Sequence, residues 1–327
     1  MLALWDTNGS EVVKKLAAER RSAGGVASGL ALTFIAVVDE GRVRQVEDAA
    51  TIAASAHPCR LLVVTRGPVP GPDAATANAQ DRLDAEIIVG GRLGPCEAVI
   101  MRMHGRLALH SESVIMPLLA PDVPVVIWWH GPPPERLAYD PLAVLAERRI
   151  TDVAQCDDPG LALRQRADDY APGDTDLAWT RLTGWRSLIA GAFDTIDAEV
   201  SAATVTGGIG NPAAELLRGW LGARLGIPVG LQSGQSLEAV EFHLSDGTQT
   251  SLRSNGNGTA TLTRSGVNDR ILPLVRRRLG EELAEELRRL DPDQPYGSAL
   301  EAATGTSSLD DRPATRTHVW RDPALQP

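Results

Sequence analysis

Leu30-Ala31-Leu32-Thr33-Phe34-Ile35-Ala36-Val37-Val38 is apolar at nearly every position. It lacks the alternation of a strand with one wet face, so it reads as a strand covered on both sides, as in a parallel sheet. Val43 to Ala56 follows as an Ala-rich helix and Arg60 to Thr65 as another apolar strand, which together make a right-handed βαβ unit. Upstream, Asn8 with Glu11 forms a capping box for a helix through Arg20, stopped by Gly24-Gly25. Downstream, beyond the Pro/Gly-rich loop 67–72, Ala85–Val89 and Cys96–Met103 read as strands around a Gly90-Gly91 turn. Leu107–Leu119 reads as a helix and Val123–Trp129 as a further strand. The pattern predicts an α/β fold whose N-terminal part is an open, mostly parallel layered sheet with helices.

In such sheets ligands and partners meet the carboxyl ends of the strands. Those ends carry Asp39, Arg66, His104, Trp128, Trp129 and His130. Alternation along the last strand puts one ring of the Trp128-Trp129 pair on each face, or both rings curl over the edge before Gly131-Pro132. The two histidines have no Cys or carboxylate at ligand spacing and read as surface residues.

Past Cys156 the chain turns polar, which places a domain boundary near 165. The C-terminal part reads as an α+β domain. It has a strand over 202–206 and a helix over 213–225. An antiparallel meander follows over 238–244, 249–254 and 259–264, and a closing helix over 273–290. Gly208, Gly210 and Ala213 match the Gly-x-Gly-x-x-Ala form of a dinucleotide fingerprint, but 226–237 contains no Asp or Glu to hold a ribose. The run Arg276-Arg277-Arg278 reads as a solvated helix face. Residues 291–327 are rich in Pro, Gly, Ser, Thr and Asp and read as a mostly disordered tail.

The stretch Asp174 to Phe193, Asp-Thr-Asp-Leu-Ala-Trp-Thr-Arg-Leu-Thr-Gly-Trp-Arg-Ser-Leu-Ile-Ala-Gly-Ala-Phe, reads as one amphipathic helix capped by Asp174 or Thr175. Ala178, Leu182, Trp185, Ile189 and Ala192 form its buried stripe. Asp176, Trp179, Thr183 and Arg186 recur along another face. A tryptophan between an acid and an arginine there suggests a contact surface. With Arg181, Trp185, Trp128 and Trp129, these residues are the candidate partner-binding set. If the face is exposed, Trp179→Ala leaves stability nearly intact.

Thr175-Asp176-Leu177-Ala178-Trp179-Thr180-Arg181-Leu182-Thr183 with Trp185-Arg186 resembles the signature of the OpcA family, the glucose-6-phosphate dehydrogenase assembly proteins. His57-Pro58-Cys59-Arg60, the 117–122 segment Pro-Leu-Leu-Ala-Pro-Asp running into Trp128-Trp129, Asp140-Pro141-Leu142 and Arg148-Arg149-Ile150-Thr151-Asp152 agree, in order. The resemblance covers roughly the first 290 residues. It implies that 1–165 is an assembly domain, that the partner is glucose-6-phosphate dehydrogenase, and that the chain performs no catalysis.

Composition sets bounds. The net charge of -10 argues against a nucleic-acid partner. No apolar run approaches the ~20 residues of a membrane span, and the N-terminus has no signal-peptide pattern, so a soluble cytoplasmic protein is expected. Seven of the few aromatic residues are tryptophans, so each position matters. Cys59, Cys96 and Cys156 form no Cys-x-x-Cys pair and read as small core residues, with Cys59 the best candidate for a redox switch. No P-loop, nucleophile elbow or zinc helix is present, and neither a cofactor nor a metal is implied. The leading reading is a non-catalytic activator of the dehydrogenase in the oxidative pentose phosphate pathway. The alternative is an enzyme or sensor that binds a phosphosugar or nucleotide near Asp39, Arg66 and Trp128.

Overall fold

The structure, a computed structural model, describes residues 1–22, 29–67, 80–90, 96–194 and 196–321. Gly24-Gly25, Pro68 to Pro72 and Gly91 lie outside them. The first elements are β1 (Leu2–Leu4), α1 (Gly9–Ser22), β2 (Leu32–Val37), α2 (Val43–Ala56), β3 (Cys59–Arg66), β4 (Arg82–Val89) and β5 (Glu97–His104). Then come α3 (Arg106–Leu109), α4 (Ser111–Ile115), β6 (Val125–Trp129), β7 (Arg148–Thr151), α5 (Pro159–Asp168), β8 (Asp174–Asp176), α6 (Leu177–Thr180) and α7 (Thr183–Phe193). The remainder is β9 (Val200–Gly207), α8 (Pro212–Leu225), β10 (Val229–Ser233), β11 (Ala239–Leu244), β12 (Gln249–Ser254), β13 (Thr259–Arg264), β14 (Val267–Pro273), α9 (Leu279–Arg288) and α10 (Gln294–Thr304). No helix among the described residues is long and apolar enough to cross a membrane.

The chain divides into two compact units. One comprises Met1–Thr151, Leu279–Asp291 and the chain from Ala314 on; the other comprises Asp152–Arg278 and Pro292–Pro313.

In the first unit the strands run in the order β1-β4-β5-β3-β2-β6-β7. The inner pairs β3/β5, β2/β3, β2/β6 and β6/β7 are parallel, while β4 and β1 add antiparallel edges. Register aligns Ile35 with Leu62 and Ile127, and these pack with Val99, Met101 and the α1 residues Val12 and Leu16 into one core. The opposite pleat, with Phe34, Leu61, Val63 and Trp128, is equally buried. A continuous apolar run is therefore required in β2, because each side chain of this size stabilises by about 1.5–3 kcal/mol when it leaves water. The capping box forms, with Glu11 N–H donating to Asn8 Oδ1 at 3.0 Å.

The segment expected as one helix over 107–119 is instead α3, α4 and a 3-10 turn at Met116–Leu118. Pro117 lacks the N–H that a continuing α-helix would need. Helix α9 packs on α2 through Gly280, where an added Cβ would sit 2.9 Å from Ala49 O and 2.7 Å from Ile52 Cβ. On α9, Glu286 forms a buried ion pair with Arg148, and Ala284 O lies 3.1 Å from His57 Nε2.

In the second unit the sheet order is β10-β9-β11-β12-β13-β14. The meander pairs antiparallel, β10 pairs parallel with β9, and α8 makes that crossover. Gly247 takes φ 84° in the hairpin, a left-handed conformation that glycine adopts without steric cost. The closing helix begins at Leu279 rather than 273, because 267–273 pairs with β13 as β14. The segment after 290, expected to be mostly disordered, carries α10. Asp293 accepts from Tyr296 N–H at its start and Gly305 closes it in the left-handed conformation, while Tyr296, Ala299, Leu300 and Leu309 are buried. Still later, Val319 N–H donates to Ala138 O at 2.8 Å in the first unit.

Gly280→Val should lower the stability of the first unit by about 1–3 kcal/mol through overpacking, and Gly280→Ala by less. Urea unfolding followed by circular dichroism checks both.

Candidate functional site

The stretch from Asp174 to Phe193 is not one helix. Residues 174–176 are extended as β8, Asp176 caps the short α6, and after a turn at Arg181 and Leu182 the chain enters α7. The break comes from Asp176. Its Oδ1 accepts from Ala178 N–H at 2.9 Å and its Oδ2 from Val153 N–H at 3.0 Å. A carboxylate engaged this way holds its own backbone extended and starts the helix after itself. Asp174 acts similarly, accepting from Ala171 N–H at 2.9 Å.

The face carrying Asp176 and Trp179 is not open to water. Asp176 is 0% exposed and Trp179 1%. Trp179 Nε1–H donates to Asp293 Oδ2 at 2.8 Å, and the Arg186 guanidinium lies 3.6 Å over its ring. The Tyr296 ring is 6.0 Å away. Burial raises the Tyr296 hydroxyl pKa well above its usual value, helped by the negative charge of Asp176 and Asp174, so it stays neutral. Trp185 is 7% exposed within the same core. Arg181 is half-buried and bidentate to Asp152 at 2.7 and 2.8 Å. Of the candidate set only Arg181 and Arg186 are partly exposed; the rest are buried. The expectation of a stable Trp179→Ala variant is therefore reversed.

Arg181 and Trp185 line a pocket of about 500 Å³ within the second unit, together with the first turn of α8 and the segment 274–277. The arginine run is not a helix face. It lies between β14 and α9 outside regular structure, and Arg276 and Arg277 border the pocket. Sequence reasoning missed this because a run of charges beside a leucine-rich helix looks like part of that helix.

The glycine loop ahead of α8 is used internally. Asn211 Oδ1 accepts from Ala213 and Ala214 N–H at 3.0 and 3.1 Å, the amides a pyrophosphate would need. A Cβ on Gly208 would meet Gln235 O at 3.0 Å. Close packing accounts for Gly208, whose place in a dinucleotide loop would be to admit a ligand.

At the strand ends of the first unit, Trp128 and Trp129 take opposite faces and are 1% and 3% exposed. Trp128 stacks on Phe34 and meets His130 edge-on. Trp129 Nε1–H donates to Asp140 Oδ2 at 2.9 Å, and Arg66 is bidentate to the same carboxylate at 2.9 and 2.7 Å. Burial pushes the Asp140 carboxyl pKa up. The Arg66 charge and the donors Arg66, Leu142 N–H and Trp129 outweigh it and hold the carboxyl below the usual range. Arg66 is thus committed to the fold, and Asp39 stands exposed apart from that pair.

The remaining sequence blocks are structural too. Arg60 pairs with the buried Glu97 and donates to Leu118 O at 2.7 Å. Cys59 and Cys96 are buried side by side, with Cys59 N–H 3.4 Å from Cys96 Sγ. The hydrogen bond to Cys96, and then burial, push the Cys59 thiol pKa well up, and the same contact lowers the Cys96 thiol pKa to about 6.

The comparisons with known proteins fall on these blocks. A family model described as the glucose-6-phosphate dehydrogenase subunit N-terminal domain matches residues 50–168, and its companion, the C-terminal domain, matches 172–300. The chain belongs to the OpcA family. The OxPP cycle protein OpcA of Synechococcus elongatus is 31% identical over 164 residues, which is 46% of this chain and 37% of the relative. Those of Nostoc punctiforme and Synechocystis are 27% and 29% identical, over 52% and 54% of the chain and 38% of each relative. The chain thus spans well under half the length of the curated relatives it matches. The stretch 175–186, which lies inside the second matched range, holds the buried network around Asp176 and Trp179.

Two outcomes follow. Trp179→Ala should destabilise the second unit by about 3–5 kcal/mol, measured by urea unfolding, with Trp179→Phe intermediate. For Asp140, the lowered folded pKa means that its ionised form stabilises the fold above the unfolded value of about 4, and this stabilisation is lost as pH falls through the folded pKa. Asp140→Asn should therefore cost about 3 kcal/mol at neutral pH, with the gap to wild type closing below pH 4 in unfolding curves.

Proposed function

We propose that this chain is a non-catalytic assembly factor that binds glucose-6-phosphate dehydrogenase and favours its active oligomeric state, supporting the oxidative pentose phosphate pathway in the cytoplasm. The observation that carries the reading is the pair of consecutive family matches over 50–168 and 172–300, both described as dehydrogenase subunit domains. The wiring of the polar groups agrees with it. Asp140, Asp152, Asp174, Asp176 and Asp293 each accept hydrogen bonds from within their own unit, the use expected of framework rather than of general acids poised toward a substrate. A factor that binds only the competent oligomer stabilises it by mass action, by about 2.7 kcal/mol at one hundred times its dissociation constant.

For the contact we favour the surface around Arg186 and Arg181. Trp179 and Asp176 lie beneath as positioning residues, and Trp185 borders the adjoining pocket. Arginines backed by a rigid aromatic are frequent interface anchors. Trp128 and Trp129 serve this reading only as core of the first unit. The acidic overall charge suits a protein partner better than nucleic acid or an anionic membrane.

Light scattering of the dehydrogenase with and without this chain, alongside turnover, tests the proposal. The larger assembly and the activity should rise together, and no change in either ends the reading. Arg186→Gln should weaken stimulation about tenfold, a hot-spot effect, with far-UV circular dichroism unchanged and a modest loss of stability to urea from the lost cation–π contact.

A further inference from the structure

The pocket of about 500 Å³ in the second unit has a wall composition at odds with the rest of the chain. The protein carries 42 acidic and 32 basic residues, yet the pocket is lined by Arg181, Arg276 and Arg277 and by no Asp or Glu. Arg181 is held by Asp152, so the cationic side chains the wall offers a ligand are Arg276 and Arg277, whose charge the low-dielectric surroundings focus. The first turn of the 14-residue helix α8 forms part of the lining through Asn211, Pro212 and Ala213. The volume lies in the range of small-molecule sites, which combine an apolar floor with a few convergent polar groups. Trp185 and Leu274 supply apolar surface here, and Ser236 and Ser254 add hydroxyls.

We propose that this pocket binds a small organic phosphate, a molecule whose anionic group meets Arg276 and Arg277 while its body packs toward Trp185 and Leu274. The arginine side chains suit phosphate because the guanidinium fork matches two oxygens at once. The α8 amides take no part, being held by Asn211. Recognition therefore rests on side chains and differs from a glycine-loop nucleotide site. Both exposed arginines lie on the connection that follows β14, so ligand charge fixes a segment that no sheet or helix holds. Binding by the isolated chain does not depend on the dehydrogenase reading, and each can fail without the other.

Isothermal titration of the full chain with ATP and a hexose phosphate, against adenosine, the unphosphorylated hexose and inorganic phosphate, tests the site. At least one organic phosphate should bind saturably, and more tightly than either of its halves. Raised salt should weaken it. Arg276→Glu/Arg277→Glu should reduce the affinity by about tenfold or more. Ser236→Trp, an exposed position on the rim, should block the pocket without touching the charges. Thermal melts of both variants should overlay wild type. Failure of every organic phosphate to bind at millimolar concentration overturns the proposal. So does equal binding of the unphosphorylated body, binding of inorganic phosphate alone, or affinity unchanged in both variants.

Discussion

The second unit depends on how the indole of Trp179 is held. Its N–H has one acceptor, Asp293, and that carboxylate also accepts the Tyr296 N–H with which α10 begins. One side chain thus joins α6, near the middle of the chain, to a helix more than a hundred residues later. The Arg186 guanidinium covers the ring from α7, a cation–π contact whose strength grows where water is excluded. A large buried aromatic whose polar atom lacks a partner loses much of what its burial contributes. Asp293 is therefore as much a part of this core as the ring.

Seen from that contact, the acidic residues of the signature have a common purpose. Asp174 and Asp176 each take backbone N–H groups that neither strand nor helix can satisfy where the chain changes direction. Asp152 does the same work with a side chain by fixing Arg181. In the first unit, Asp140 gathers Arg66, Trp129 and the Leu142 amide. The cost of burying these carboxylates is offset by the donors they accept, up to Arg66, Trp129 and the Leu142 amide together at Asp140, the condition under which buried charge is tolerated. It also explains why recognisable sequence blocks need not be contact surfaces. Irregular backbone that must be buried demands particular acids and arginines at particular places.

How much of this was legible in sequence follows from how local each signal is. Strands β2 and β3 and helix α2 were readable, because hydrophobic period and length are properties of the segment itself. The β11–β13 meander was readable from its alternation and its Asp246-Gly247 turn. The run from Asp174 to Phe193 misled because Ala178, Leu182, Trp185 and Ile189 keep helical spacing across a break that Asp176 imposes through Val153, a partner outside the window. Helix α10 had its signals in plain view, with Asp293 to cap it, Pro295 in its first turn and Gly305 after it. Composition outweighed them. Strand β14 is almost wholly exposed and has no apolar face to announce it. Its pairing with β13 is what makes it a strand.

The candidate site shows the same division. Tryptophan and arginine at helical spacing correctly mark a place where a ring and a guanidinium meet, but spacing says nothing about which side faces water. Asp293 decides that, and no local pattern links it to Trp179. For the proposed contact, the consequence is that Arg186 and Arg181 are held in place by Trp179 and Asp152 beneath them. A partner that grips these arginines meets side chains with little conformational freedom left to lose, which lowers the ordering cost of association. Rigidity beneath, with guanidinium groups above, is what the proposed assembly role asks of such a surface.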